Sequence, residues 1–262
     1  MRETIHFAHG NGFPSPCYGQ LLKSLGTRYD CCYIEKVGHN PEFPVGENWH
    51  FLSDEIIDSV RKQASKPVIA VGHSLGGVLS LIAAMKEPAL FKTVIMLDAP
   101  IIGPFKSSMV RLAKVLGIID RVTPAARTRN RRKHWPTKEL LWTYLKEKEL
   151  FRTFTDACLQ DYIDYGMKKT PEGYFLDFDR HIEYLIYKTL PHELHTYKGK
   201  LTVPTDLIYG DQSTVIDNAD RRYMRKHYHI NSHKITGSHM FPMECPEKVA
   251  MLIFKLLGQR GI

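Results

Sequence analysis

Cysteine is scarce in this chain and poorly placed for bridging. There are five in 262 residues, two of them adjacent at Cys31 and Cys32, and no CxxC pair. An odd number cannot all pair, and no Cys/His spacing suits a tetrahedral zinc site. PHELH at 191–195 sets His192 and His195 three apart but is not HExxH and offers no third ligand, so no metal is expected. Long apolar runs are missing too. No stretch approaches 18 uninterrupted apolar residues, and MRETIHFAHG has too short an apolar run for a signal peptide. These absences predict a soluble, unprocessed, cytoplasmic protein with no transmembrane segment. The phosphate-cradling GxxxxGK[ST] loop is lacking, as is any internal repeat or low-complexity tract.

Acidic residues are the scarcer charge, 28 against 36 Lys and Arg, which gives a net charge of +8. Such a balance suits nucleic acid, an anionic membrane surface or acidic ligands without choosing among them. Six of the cations crowd between Asp120 and Trp135, in DRVTPAARTRNRRKHW. No aromatic platform is interleaved with them as single-strand binding would want, so the run reads as a solvated face and no nucleic-acid partner is expected.

What is present is a regular alternation. Short apolar runs begin at Ile5, Cys31, Pro67, Thr93, Thr205 and His233. Runs of this length without polar alternation suit parallel strands covered on both faces. Between them lie segments of helical spacing, at 18–25, 49–60, 75–85, 219–227 and 249–257. The β, α, β, α order predicts a doubly wound parallel sheet. About a hundred residues separate the runs at Thr93 and Thr205, too many for an ordinary crossover. Helical patterns at 109–116, 138–145 and 181–187 make this interval an inserted helical cap. The division expected is a core of 1–100 and 201–262 with the cap at 101–200. The cap aromatics Phe105, Trp135, Trp142, Tyr144, Phe151, Phe154 and Tyr162 are expected in the core or along an apolar acyl or alcohol pocket.

One motif carries chemistry. Gly72-His73-Ser74-Leu75-Gly76-Gly77 matches GxSxG, directly after the strand PVIAV and directly before the helix LGGVLSLIAAM. At ordinary glycine frequency the bare motif arises by chance in roughly one such chain in ten, so the strand-to-helix context carries the inference. A nucleophilic serine on so sharp a turn needs neighbours without bulk, which Gly72 and Gly76 supply. The turn also sets Ser74 at a helix N-terminus, where the Leu75 amide faces developing negative charge. Among 13 histidines, His239 stands out by position, on the loop after the last strand in ITGSHMFPMECPEKV. From there it reaches back toward Ser74 as a base.

With HGNGFP at 9–14, GHSLGG at 72–77, LDAP at 97–100 and GSH at 237–239, the sequence resembles the α/β-hydrolase superfamily. The resemblance implies a Ser, acid, His order, and a second oxyanion donor from the loop after the first strand. Asn11 is first choice for that donor and Phe13 the fallback. It further implies a sheet of about six strands with the usual N-terminal hairpin absent. The family's acid usually follows the penultimate strand by three residues, where this chain has Ser213. Asp98, ending the strand after the nucleophile turn, and Asp211 are the substitutes, with Asp98 preferred. The resulting expectation is a cofactor-free serine hydrolase acting on a small-molecule ester or thioester. C–C, amide or lyase chemistry on the same scaffold, or a silent ligand-binding member, are the alternatives.

Overall fold

The computed structural model describes residues 2–262. Six strands form one parallel sheet: β1 Thr4–Ala8, β2 Asp30–Tyr33, β3 Val68–His73, β4 Phe91–Leu97, β8 Thr205–Gly210 and β9 Asn231–Ile235. Their order is β2-β1-β3-β4-β8-β9. The order reverses between β1 and β3, so the loops leaving these two strands diverge and open a crevice at their carboxyl ends. The register brings those ends level: Ala8 lies opposite Gly72, His73 opposite Leu97, and Gly210 opposite Ile235.

Side-chain alternation explains the two layers around the sheet. Ile5, Phe7, Ile69, Val71, Ile95 and Leu97 point to one face, where they meet α1 Gly19–Leu25 and α13 Pro246–Gly258. Ala8, Val68, Ala70, Val94 and Met96 point to the other, toward α2 His50–Gln63, α3 Leu75–Lys86 and α11 Asn218–Tyr228. A strand's period of two therefore builds two cores from one apolar run.

Between β4 and β8 the chain forms α4 Pro104–Val115, α5 Ile119–Val122, α6 Ala125–Arg129, α7 Lys138–Glu147, α8 Glu149–Arg152, α9 Asp156–Tyr165 and α10 Arg180–Lys188. It also forms an antiparallel sheet of β5 His134–Trp135, β7 Gly173–Leu176 and β6 Met167–Thr170, in that order. Beside the helices, this small sheet is an element that the expectation of an inserted helical cap did not include. Its strands are too short to stand out by periodicity; Pro171 and Glu172 make the turn between β6 and β7, and Gly173, at φ 122°, opens β7. A short helix, α12 Phe241–Glu244, follows the last strand of the main sheet.

The insertion does not keep a core to itself. Trp135, Leu141, Phe151, Phe154 and Tyr162 join the α1/α13 face, while Phe178, Ile186 and Leu194 join the other. Phe105 does neither, being 79% exposed, which corrects its expected place in a core or pocket.

Candidate active site

The turn at Ser74 is held by close backbone approach. A Cβ on Gly72 would lie 2.3 Å from the Gly76 carbonyl oxygen, and one on Gly76 would lie 2.1 Å from that of Ala8. Only glycine fits at either place, as the motif requires. Ser74 itself sits at φ 52°, ψ −114°, a conformation that costs an L-residue roughly 1–3 kcal/mol. Its N–H donates to the Leu97 carbonyl at 2.8 Å, and the Gly76 N–H to that of His9 at 3.0 Å. The side chain, half-buried, stands at the N-terminus of α3. The Leu75 amide has no acceptor among the described residues, nor has the Asn11 amide, whereas that of Phe13 donates to Gly10 at 3.1 Å. A committed amide is a poor oxyanion donor, so the geometry favours Asn11 over its fallback.

Asp98 is the second strained residue, at φ 46° and fully buried at the end of β4. Its Oδ2 accepts from His239 Nδ1 at 2.7 Å and from the Ser213 hydroxyl, and its Oδ1 from the Gly210 N–H at 3.2 Å. Because the carboxylate accepts the hydrogen bond of Nδ1–H, the free lone pair of the neutral imidazole lies on Nε2. No hydrogen bond joins Ser74 Oγ to His239 among the described residues; such bonds often tighten only when substrate is bound. Asp211 is exposed and accepts the Gly237 amide at 3.1 Å. Ser213, standing where a carboxylate was looked for, turns its hydroxyl to the carboxylate of Asp98. The contact of its hydroxyl is a property of the fold and has no local signature in the sequence.

Three further groups escaped the sequence reading. His73, buried at the end of β3, donates from Nε2 to the His239 carbonyl at 3.0 Å. A carbonyl only accepts, so His73 Nδ1 must accept the Tyr18 hydroxyl proton at 2.7 Å, while the Gly10 N–H donates to that hydroxyl at 3.1 Å. This directed chain ties the loop after β1 to the loop that carries His239. Burial holds His73 well below its usual pKa, which keeps it neutral, as the chain requires. Glu244 takes the Ser238 N–H at 2.9 Å and the Thr153 hydroxyl at 2.7 Å, fixing the residue before His239 against the insertion.

Arg131 departs from the solvated face expected of its basic run, whose other five cations are exposed. It is mostly buried, paired through Nη1 with both Glu183 oxygens at 3.1 and 3.2 Å and through Nη2 with the Tyr162 hydroxyl. Glu183 in turn lies against Gly12 and accepts the Asn11 side-chain amide on its backbone carbonyl at 3.0 Å. Cations of the run do meet aromatic rings, Arg132 over Trp135 at the end of the run and over Tyr144, and Arg129 over Tyr184. Phe13 packs at ring-centroid distances of 5.0–6.3 Å on Tyr162, Phe151 and Phe154, so the insertion braces the loop after β1.

Comparison with known proteins agrees with this architecture. The sequence profile of the alpha/beta hydrolase family matches residues 7–252, and the chain belongs to that family. A relative in Mesorhizobium japonicum, 2-(acetamidomethylene)succinate hydrolase, is 32% identical over 96 residues, which cover 35% of this chain and about a third (34%) of that protein's length. The crystal structure of E-2-(acetamidomethylene)succinate hydrolase superposes with a TM-score of 0.79 at 18% identity, over 98% of this chain and 91% of that one. A thioesterase domain from the curacin biosynthetic pathway does so with a TM-score of 0.72 at 17% identity, over 97% and 91%. At these identities the two structures speak for the fold alone.

Proposed function

We propose that this protein cleaves a carboxylic ester or thioester by two-step acyl transfer to water. The observation that carries the reading is the 2.7 Å hydrogen bond from His239 Nδ1 to buried Asp98, at the same strand edge as the strained Ser74. Ser74 Oγ attacks the carbonyl carbon while His239 Nε2 takes its proton, and Asp98 stabilises the imidazolium that results. The amides of Leu75 and Asn11 receive the oxyanion. His239 then gives its proton to the departing alcohol or thiol, and water, activated by the same imidazole, releases the acid from Ser74. Three donors on Asp98 and the Tyr18–His73 chain on the His239 carbonyl hold the base in place before substrate arrives, so little reorganisation is left for the reaction itself. The cap at 101–200 would set specificity rather than rate, through its aromatics beside Phe13.

A second reading, the same machinery directed at another bond, draws support from the relative named for hydrolysis of 2-(acetamidomethylene)succinate. A fluorophosphonate probe tests the common step. It should label the protein at Ser74 and fail on Ser74→Ala, whose turnover should fall by roughly 10⁴–10⁶. Undiminished labelling of that variant would end both readings. Parallel panels of p-nitrophenyl esters, acyl-thioesters and amides then separate them.

A further inference from the structure

The helix that follows Asp98 is built inside out. Phe105, Met109, Leu112 and Leu116 recur at intervals of four, three and four, which aligns them in one stripe along α4 and its closing turn. Such a stripe ordinarily packs inward. Here these four side chains and Val115 are 56–79% exposed, while the helix turns Ser107 and Ala113 to the protein. Its lysines serve as anchors on the inner side. Lys106 pairs with Asp217 and Asp220 at 2.8 and 2.7 Å, and Lys114 with Glu47 at 2.5 Å. The apolar surface continues onto Val122 of α5, which is 62% exposed.

The segment that carries the stripe is strongly basic. Residues 104–133 contain nine Lys and Arg and a single carboxylate, Asp120. Apart from Lys106, Lys114 and Arg131, none of these cations has a carboxylate within 4.0 Å among the described residues; Arg111, Arg121 and Arg127 are exposed. An exposed apolar stripe beside unpaired arginines matches an anionic lipid surface on both counts, acyl chains for the stripe and phosphates for the cations. A second copy of the chain would cover the stripe only by bringing arginine against arginine. A nucleic acid would meet the cations and leave the stripe in water.

We propose that α4, with α5 and α6 beside it, docks this protein on anionic membranes, α4 lying in the plane of the interface. Five residues separate Asp98 from α4, so a docked helix keeps the end of β4 within roughly 20 Å of the lipid. The docking does not rest on the proposed chemistry, and its binding readout needs no turnover. The full chain is sedimented with vesicles of phosphatidylcholine alone and of phosphatidylcholine mixed with phosphatidylserine, at low and high salt. Binding is expected on the mixed vesicles only, and it should fall at least tenfold at high salt, where the charges are screened. Phe105→Ser with Leu112→Ser should weaken it about tenfold or more. Arg111→Gln, Arg121→Gln and Arg127→Gln together should do the same, with circular dichroism and hydrolysis of a water-soluble ester unchanged in both variants. Failure to bind the mixed vesicles at low salt, equal binding to phosphatidylcholine alone, or undiminished binding by the serine variant would each overturn the proposal. So would a native dimer in light scattering that the serine variant abolishes, since a second copy would then occupy the face.

Discussion

Two stretches of this chain treat polar groups in opposite ways. Around Asp98 both carboxylate oxygens are occupied, and His73, Tyr18 and Gly10 pass hydrogen bonds in a fixed direction. Along α4–α6 the arginines reach into solvent without carboxylates, and the apolar side chains lie outside. The first arrangement is what reaction geometry demands, because a buried unpaired group is costly and a fully paired one cannot wander. The second stores nothing within the fold and is suited only to something outside it. Arg131 sits on the boundary, a cation of the basic run drawn inward by Glu183 and Tyr162.

The largest effect should come from breaking the buried side at Asp98. Asparagine keeps the shape but can present an N–H to the imidazole, which favours the wrong tautomer and removes the charge opposite it. In a serine protease this change lowers kcat by about 10⁴. Asp98→Asn should lose several orders of magnitude and Asp211→Asn little, each checked for folding by circular dichroism. A crippled Asp211→Asn beside an active Asp98→Asn would move the acid to the loop after β8.

Next in size is the contrast within the run RNRRK. Arg131→Ala leaves the Glu183 carboxylate in a site whose burial already raises its pKa, and should cost about 3 kcal/mol in urea unfolding. Arg129→Ala, at an exposed position, should stay within about 0.5 kcal/mol. Equal losses would erase the distinction between the two cations.

Acid should separate the regions as well. Burial lowers the pKa of both His6 and His9 to about 4, from an ordinary 6.5. Between those values the unfolded chain binds protons that the folded chain refuses. The stability these residues supply is therefore complete above pH 6.5 and is lost as pH falls through 4, by about 3 kcal/mol each at most. Urea midpoints from pH 7.5 to 4.5 measure it, and a flat profile would contradict the burial of these rings.

The smallest effect belongs to Ser213. Replacing it by Ala removes one of three donors to Asp98 and should lower kcat about tenfold with KM little changed, since a hydrogen bond to a charged group is worth about 1.5–3 kcal/mol before the remaining donors compensate. Unchanged kcat would mean that Gly210 and His239 suffice to hold the carboxylate.

Much of this was legible without coordinates. The parallel sheet followed from unalternating apolar runs, because a strand covered on both faces needs apolar groups at every position. The turn at Ser74 followed from Gly72 and Gly76, because no other residue tolerates backbone at 2.1–2.3 Å from its Cβ. These are local constraints, and local sequence carries them. Which carboxylate meets His239 is different: Asp98 and His239 stand 141 residues apart and Ser213 lies 115 beyond Asp98, brought together by the level ends of β4 and β8. The direction of α4 was equally hidden. Its spacing of four, three and four marks a face, but a face is inner or outer only by virtue of what packs on it, and the ion pairs of Lys106 and Lys114 with distant Asp217, Asp220 and Glu47 turned that face to the solvent.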